Sequence, residues 1–170
     1  MTKRQSPIND KHFLAFGAIV QHFAMFERLV EICIAHILGA HHGAVAATIS
    51  GLGYTAKCEA LTSLISMSKL PEGYAATITK AINDFNAHNA LRNGIAHHVW
   101  REGARAHSVR FLSITSRGGK AKVRGLRDGE RDFTTDELID IADELLGIQE
   151  RFSDYLVEVG IIPEADFSAE

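Results

Sequence analysis

The chain has 170 residues, 46% of them apolar, only three prolines and a net charge of -3, which suffices for one compact domain, 1–170, with a substantial core. The opening Met-Thr-Lys-Arg-Gln-Ser-Pro run leads into a periodic amphipathic segment rather than an unbroken apolar one. The expectation is therefore a soluble, cytoplasmic protein with no signal peptide, membrane span or membrane partner. Cys33 and Cys58 fall in predicted helices without Cys-x-x-Cys spacing, which argues against a disulfide framework or zinc ribbon and for packed thiols.

Phe13, Phe16, Ile19, Val20, Phe23, Phe26, Val30, Cys33, Ile34, Ile37 and Leu38 recur at three- and four-residue steps, predicting a long amphipathic helix over about 13–38. Gly39 and Gly43 interrupt the pattern. A short helix over about 44–50, a break at Gly51-Leu-Gly53 and a second run over about 55–69 ending at Pro71 follow. Ile78, Ile82, Phe85, Ile95 and Val99 extend one further long helix from about 72 to 98.

Val109-Arg-Phe-Leu-Ser-Ile-Thr115 and Ala121-Lys-Val-Arg-Gly-Leu126 are β-prone runs separated by Arg117-Gly-Gly-Lys120, a hairpin signal over about 108–127. Lys120, Lys122 and Arg124 alternate onto one face of its second strand. Thr134 and Glu137 then fit a capping box, and Phe133 with Leu138 a hydrophobic staple, before a last helix over about 135–159. Its stripe is Leu138, Ile141, Leu145, Ile148, Phe152, Tyr155 and Val159. The expected fold is mainly α: a bundle of four to five helices with a short β-hairpin inserted before the last helix.

Charge is segregated along this order. Residues 101–131 carry nine Lys and Arg against three acids, a balance of +6, whereas 132–170 carry twelve acids and only Arg151, a balance of -11. The basic block suits capture of a polyanion, with a solvated hairpin balancing an acidic helix as the alternative. Trp100 and Phe111 flank it as core residues, or as platforms on which a base could stack.

The stretch His88-Asn-Ala-Leu-Arg-Asn-Gly-Ile-Ala-His-His-Val-Trp100 immediately precedes that block. Carried round a helical wheel from Phe85 at about 100° per residue, Arg92 falls near the middle of the apolar stripe. Glu27 does the same on the first helix, among Val20, Phe23, Val30 and Ile34. A charge in a core stripe persists when paired, so the wheels predict a Glu27–Arg92 contact, within the chain or across a helical interface. The alternative is two charges at a wet end of the bundle that never meet. Asn93 and His97 are four apart and share a face. Gly94, a weak helix former, and the long Arg92 side chain would let all three groups converge on a phosphodiester. Arg supplies a fork of donors that stabilises growing negative charge, His moves protons near neutrality, and Asn93 holds either the imidazole or the phosphate. His88 lies one turn before Arg92 and would line the same cleft. His36, His41 and His42 around Gly39, and the adjacent His97 and His98, lack the ligand set and spacing of a zinc helix, so neither a metal nor a cofactor is expected.

Arg92-Asn93, three further residues and His97 resemble the Arg-polar-x3-6-His signature of HEPN domains, helical proteins that are often dimeric, metal-independent ribonucleases. The placement near the end of a late helix is similar too, as is a Glu in an earlier helix. The resemblance implies Arg92 and His97 as the catalytic pair, Asn93 as the adjacent polar position and Glu27 as the orienting acid; His88 and His98, by their places beside the pair, are expected as further supporting residues. It also implies a homodimer acting on RNA and a toxin or phage-defence role; Arg101, Lys120, Lys122 and Arg124 of the basic block are the residues expected on the RNA backbone. Members modified on a tyrosine carry it two residues after the His, where this chain has Val99, so that subtype's antitoxin is not implied and any partner stays open. A non-catalytic dimeric module binding RNA, a nucleotide or a protein is the alternative function.

Overall fold

The computed structural model describes residues 8–71, 73–117, 120–124 and 132–162, with 113–117 and 120–124 in backbone only. The order is α1 (Asp10–Leu38), α2 (His42–Ile49), α3 (Tyr54–Met67), α4 (Tyr74–Asn86), α5 (Asn89–His97), β1 (Val99–Glu102), β2 (Ser108–Arg117), β3 (Lys120–Arg124), β4 (Phe133–Thr134) and α6 (Thr135–Glu158). The protein is mainly helical, with a small antiparallel sheet before the last helix, as the sequence pattern predicts.

Local chemistry explains most boundaries. α1 stops where Gly39 adopts a positive φ of 60°, its N–H donating to the His36 carbonyl at 3.0 Å and that of Ala40 to Ala35 at 3.0 Å, a glycine-closed C-terminus. The His41 imidazole accepts from the Gly43 N–H at 3.2 Å to start α2. At α6 the capping box is reciprocal: the Thr134 N–H donates to Glu137 Oε2 at 2.8 Å, and the Glu137 N–H to Thr134 Oγ1 at 3.2 Å. Phe133 and Leu138, the staple pair, are both buried.

The helix expected over 72–98 is two helices. α4 ends at Asn86, and His88 sits at φ -103° and ψ 0° before α5 begins. The restart resets the helical phase. Leu91 and Gly94 take the buried positions of α5, Arg92 is half-buried, and Ala96 and Val99 are exposed. A wheel carried unbroken from Phe85 puts Arg92 and Val99 inward. The sheet also has more members than a hairpin. β2 pairs with β3 from Ser113↔Arg124 to Arg117↔Lys120, but also with β1 from Val99↔Leu112 to Glu102↔Val109, and with β4 through Val109↔Phe133. Residues 118–119 and 125–127 of the expected hairpin lie outside the described residues.

The residues group into two compact units. In the first (8–22 and 87–145 of the described chain), the Trp100 ring lies 4.4 Å from Phe16 and 5.5 Å from Phe111, and its Nε1–H donates to the Gly94 carbonyl at 3.2 Å. Both aromatics therefore serve the core. Buried His12 ties helix ends together: Nδ1 is 2.9 Å from Asn9 Oδ1, and Nε2 is 3.2 Å from Thr135 Oγ1. Desolvation holds its imidazole below the ordinary histidine range.

In the second unit (23–86 and 146–162 of the described chain), Phe26 stacks on Phe85 at 3.8 Å and meets Phe152 at 5.5 Å, while Phe23 meets Tyr54 edge-on at 5.2 Å. α1 is long and apolar enough to cross a membrane by length and composition. Those are also the properties of a core helix, and the Phe23 and Phe26 rings are fully buried among protein aromatics.

Candidate functional site

α5 is nine residues long and carries the whole motif. Leu91 and Gly94 face the core of their unit, which fixes the azimuth of the remaining side chains. Gly94 has a specific reason to be glycine. A Cβ there would lie 2.8 Å from Phe111 Cδ1 and 2.9 Å from Cε1, so the Phe111 ring sits against the helix backbone more closely than a Cβ permits. Its role is this close approach.

The Arg92 Nη1–H donates to Asn93 Oδ1 at 3.0 Å, so the neighbouring amide carbonyl orients the guanidinium. His97 stands in the last turn of α5 with its side chain exposed. His98 is the C-cap, its N–H donating to the Gly94 carbonyl at 3.2 Å, and its ring stacks on Phe111 at 5.3 Å and 11°. It supports the helix end by packing. β1 follows at once and carries exposed Arg101. The side chains of Lys120, Lys122 and Arg124 lie outside the described residues.

Two other arginines of the basic block have structural work. Arg105 Nη1 donates to Glu137 Oε1 at 3.0 Å, and its Nη2 donates to the Asp132 carbonyl. Arg110 Nε lies 3.1 Å from Asp132 Oδ1. Asp132 also accepts from the backbone N–H of Ala104 and, at 3.2 Å, of Arg105. Desolvation alone would raise the Asp132 carboxyl; those N–H bonds and the Arg110 and Arg105 charges outweigh it and hold it below the usual carboxylate range. Around Arg105 and Arg110 the block is thus a clamp that joins the strands to the start of α6.

His88 turns the same way. Its Nε2 lies 3.3 Å from Glu144 Oε2 on α6, and it lines a cavity of about 490 Å³ with Leu91, Phe111, Glu137, Asp140 and Ile141. Arg92, Asn93 and His97 are not among its lining residues.

Glu27 meets a cation other than the one expected. Lys57 Nζ, on α3, donates to Glu27 Oε1 at 2.6 Å and to Glu31 Oε1 at 2.8 Å, and Arg28 Nη1 reaches Glu31 Oε2 at 3.1 Å. The Lys57 side chain is only 6% exposed. Burial pulls the ammonium down, but its bonds to Glu27 and Glu31 outweigh that and raise it above the ordinary lysine range. Burial pushes Glu31 up, and the bonds from Lys57 and Arg28 more than offset it, leaving it low. Within its unit Glu27 therefore belongs to a Glu27–Lys57–Glu31 cluster. Its sequence signal was present: Tyr54, Lys57, Cys58 and Leu61 form a buried stripe at helical spacing, and Glu31 is one turn after Glu27. Packing raises the two thiols, Cys33 to about 12 and Cys58 to about 11, chiefly by desolvation, so neither is a ready nucleophile near neutrality. Among the described residues no three His, Cys, Asp or Glu side chains gather as metal ligands. The chain matches no family model, no curated protein and no solved structure.

Proposed function

We propose that the protein is a metal-independent endoribonuclease of the HEPN kind, cleaving single-stranded RNA, with Arg92 and His97 as its catalytic pair. The observation that carries the reading is the composition of α5. A guanidinium oriented by Asn93 at 3.0 Å precedes, by little more than a turn, an exposed imidazole at the helix end, and β1 with Arg101 follows directly. The guanidinium stabilises the charge that grows on the non-bridging phosphate oxygens. The imidazole accepts the 2′-hydroxyl proton as O2′ bonds to phosphorus; the P–O5′ bond breaks, and a second imidazole protonates the leaving oxygen. The products are a 2′,3′-cyclic phosphate and a 5′-hydroxyl. Each chain offers one His97, so a homodimer in which two copies frame one groove would supply both proton-transfer groups. A cytoplasmic toxin or phage-defence role is the setting proposed for such an activity.

The reading is tested by incubating purified protein with mixed RNA, with and without chelator. His97→Ala should abolish cleavage while leaving circular dichroism and RNA retention unchanged, and DNA should resist because it has no 2′-hydroxyl. Reversing charge at Lys120, Lys122 and Arg124 should weaken RNA capture and reduce its salt dependence. Cleavage that needs magnesium, survives His97→Ala or extends equally to DNA refutes the mechanism. One observation favours a non-catalytic module that binds a protein partner: adjacent Phe13 and Leu14 are 59% and 74% exposed at the start of α1. Complete absence of cleavage with a stable dimer would select that reading.

A further inference from the structure

The cavity beside His88 has walls from four elements of one unit. Ala87, His88, Ala90 and Leu91 come from the start of α5 and the residues before it. Glu137, Asp140, Ile141 and Glu144 come from α6, with Phe111 on β2 and Phe133 on β4. The α6 residues follow three- and four-residue spacing and so form one helix face, while Ala87 and His88 come from the turn before α5 and Ala90 and Leu91 from its first turn. The alanines are what leave the space open, because opposing faces of larger side chains would close it. At about 490 Å³ it lies within the range of small-molecule sites.

Its chemistry is two-sided. Leu91, Ile141, Phe111 and Phe133 make an apolar interior, and the polar groups are three carboxylates and one imidazole. The carboxylates differ in availability. Glu137 is committed to Arg105 and to the Thr134 N–H. Glu144 is 58% exposed and has only His88, a partner that is charged only when protonated. Asp140, one turn before Glu144, is exposed and makes no ion pair with any described residue. An apolar, aromatic interior rimmed by one free and one weakly engaged carboxylate complements a molecule with a hydrocarbon body and a positive end. A phosphate-bearing ligand would meet like charge at the rim, so this is not a place for the RNA backbone.

We propose that this cavity binds a small organic cation, an arylalkylamine being the simplest match, with the ring among Leu91, Phe111, Phe133 and Ile141 and the ammonium at Asp140 and Glu144. The site is independent of the ribonuclease reading, since none of Arg92, Asn93 or His97 lines it.

The test is calorimetric titration of the full chain with 2-phenylethylamine, 2-phenylethanol and phenylacetate, which share a body and differ in the end group. The single tryptophan, Trp100, lies 5.5 Å from Phe111 and gives a local fluorescence readout. The amine should bind at least about tenfold more tightly than the alcohol, and the acid should not bind. Asp140→Asn with Glu144→Gln should remove that preference. Both side chains are on an exposed helix face, so the fold should tolerate the change. Ala90→Leu, at an exposed position on the rim, should fill the space and abolish binding of amine and alcohol together. Equal affinity for amine and alcohol, a preference that survives the double substitution, binding that survives Ala90→Leu, or no amine binding would each overturn the proposal.

Discussion

Replacing Lys57 by methionine keeps most of the side chain's volume and apolar length while deleting the one charge that joins Glu27 to Glu31. Their side chains are 19% and 11% exposed, against 6% for Lys57, so the two carboxylates would be left one turn apart with little water. Removing one member of a buried ion pair costs about 3–5 kcal/mol. The lower end applies here, about 3 kcal/mol, because Arg28 still holds Glu31 at 3.1 Å and the more exposed Glu27 can turn toward solvent. For a chain of this size that is a melting-temperature loss of roughly 6–12 °C. Urea titration followed by circular dichroism measures the free energy directly, and adding Glu27→Gln and Glu31→Gln to Lys57→Met should recover a large part of it. The pH profile carries the same signature. Lys57 is raised, so its stabilisation is complete below the ordinary lysine range and is lost as pH rises through its folded value. Glu31 is lowered, so its stabilisation is present above the ordinary carboxylate range and is lost as pH falls through its folded value. Lys57→Met should flatten the alkaline limb. A loss below about 1 kcal/mol, the range of exposed pairs, would refute the buried cluster.

Three further changes probe the first unit. His12 is held low by burial, so the unfolded chain takes up a proton first as pH falls: stability should decline from about pH 6.5 downward, and His12→Gln should weaken that decline in acid denaturation curves. Gly94→Ala gains about 1 kcal/mol in helix propensity but drives a Cβ to 2.8 Å from Phe111 Cδ1, and overpacking of this kind costs about 1–3 kcal/mol. Thermal melts should show net destabilisation, relieved in the Gly94→Ala, Phe111→Leu double variant; a stabilised single variant contradicts the close approach. Thr134→Ala should cost about 1 kcal/mol by opening the capping box, whereas Thr134→Ser should keep most of it.

The features legible in the sequence are those governed by neighbours along the chain. The stripe from Phe16 to Ile34 specifies α1, because a helix face is set by three- and four-residue spacing alone. Thr134 and Glu137 specify the start of α6, because the capping box closes within four residues. The two β-prone runs around Gly118 and Gly119 likewise announced the strands paired as β2 and β3. The motif of α5 was visible as residue types, but its orientation was not. A wheel assumes an unbroken phase, and the restart at His88 moved Leu91 and Gly94 into the core positions and left Arg92 half-buried. Which cation meets Glu27 was also beyond reach, since Lys57 is thirty residues away and many charged residues compete for each partner until packing brings one within bonding distance. The same holds for Arg105 and Arg110, whose composition suggested polyanion capture and whose contacts with Asp132 and Glu137 make them a clamp. Local spacing determines where apolar stripes and caps form and, as long as the helical phase is unbroken, which face turns inward, because those energies act within a few residues. Only the tertiary structure decided which buried charges are paired, because desolvation penalises every lone charge alike and packing alone selects its partner.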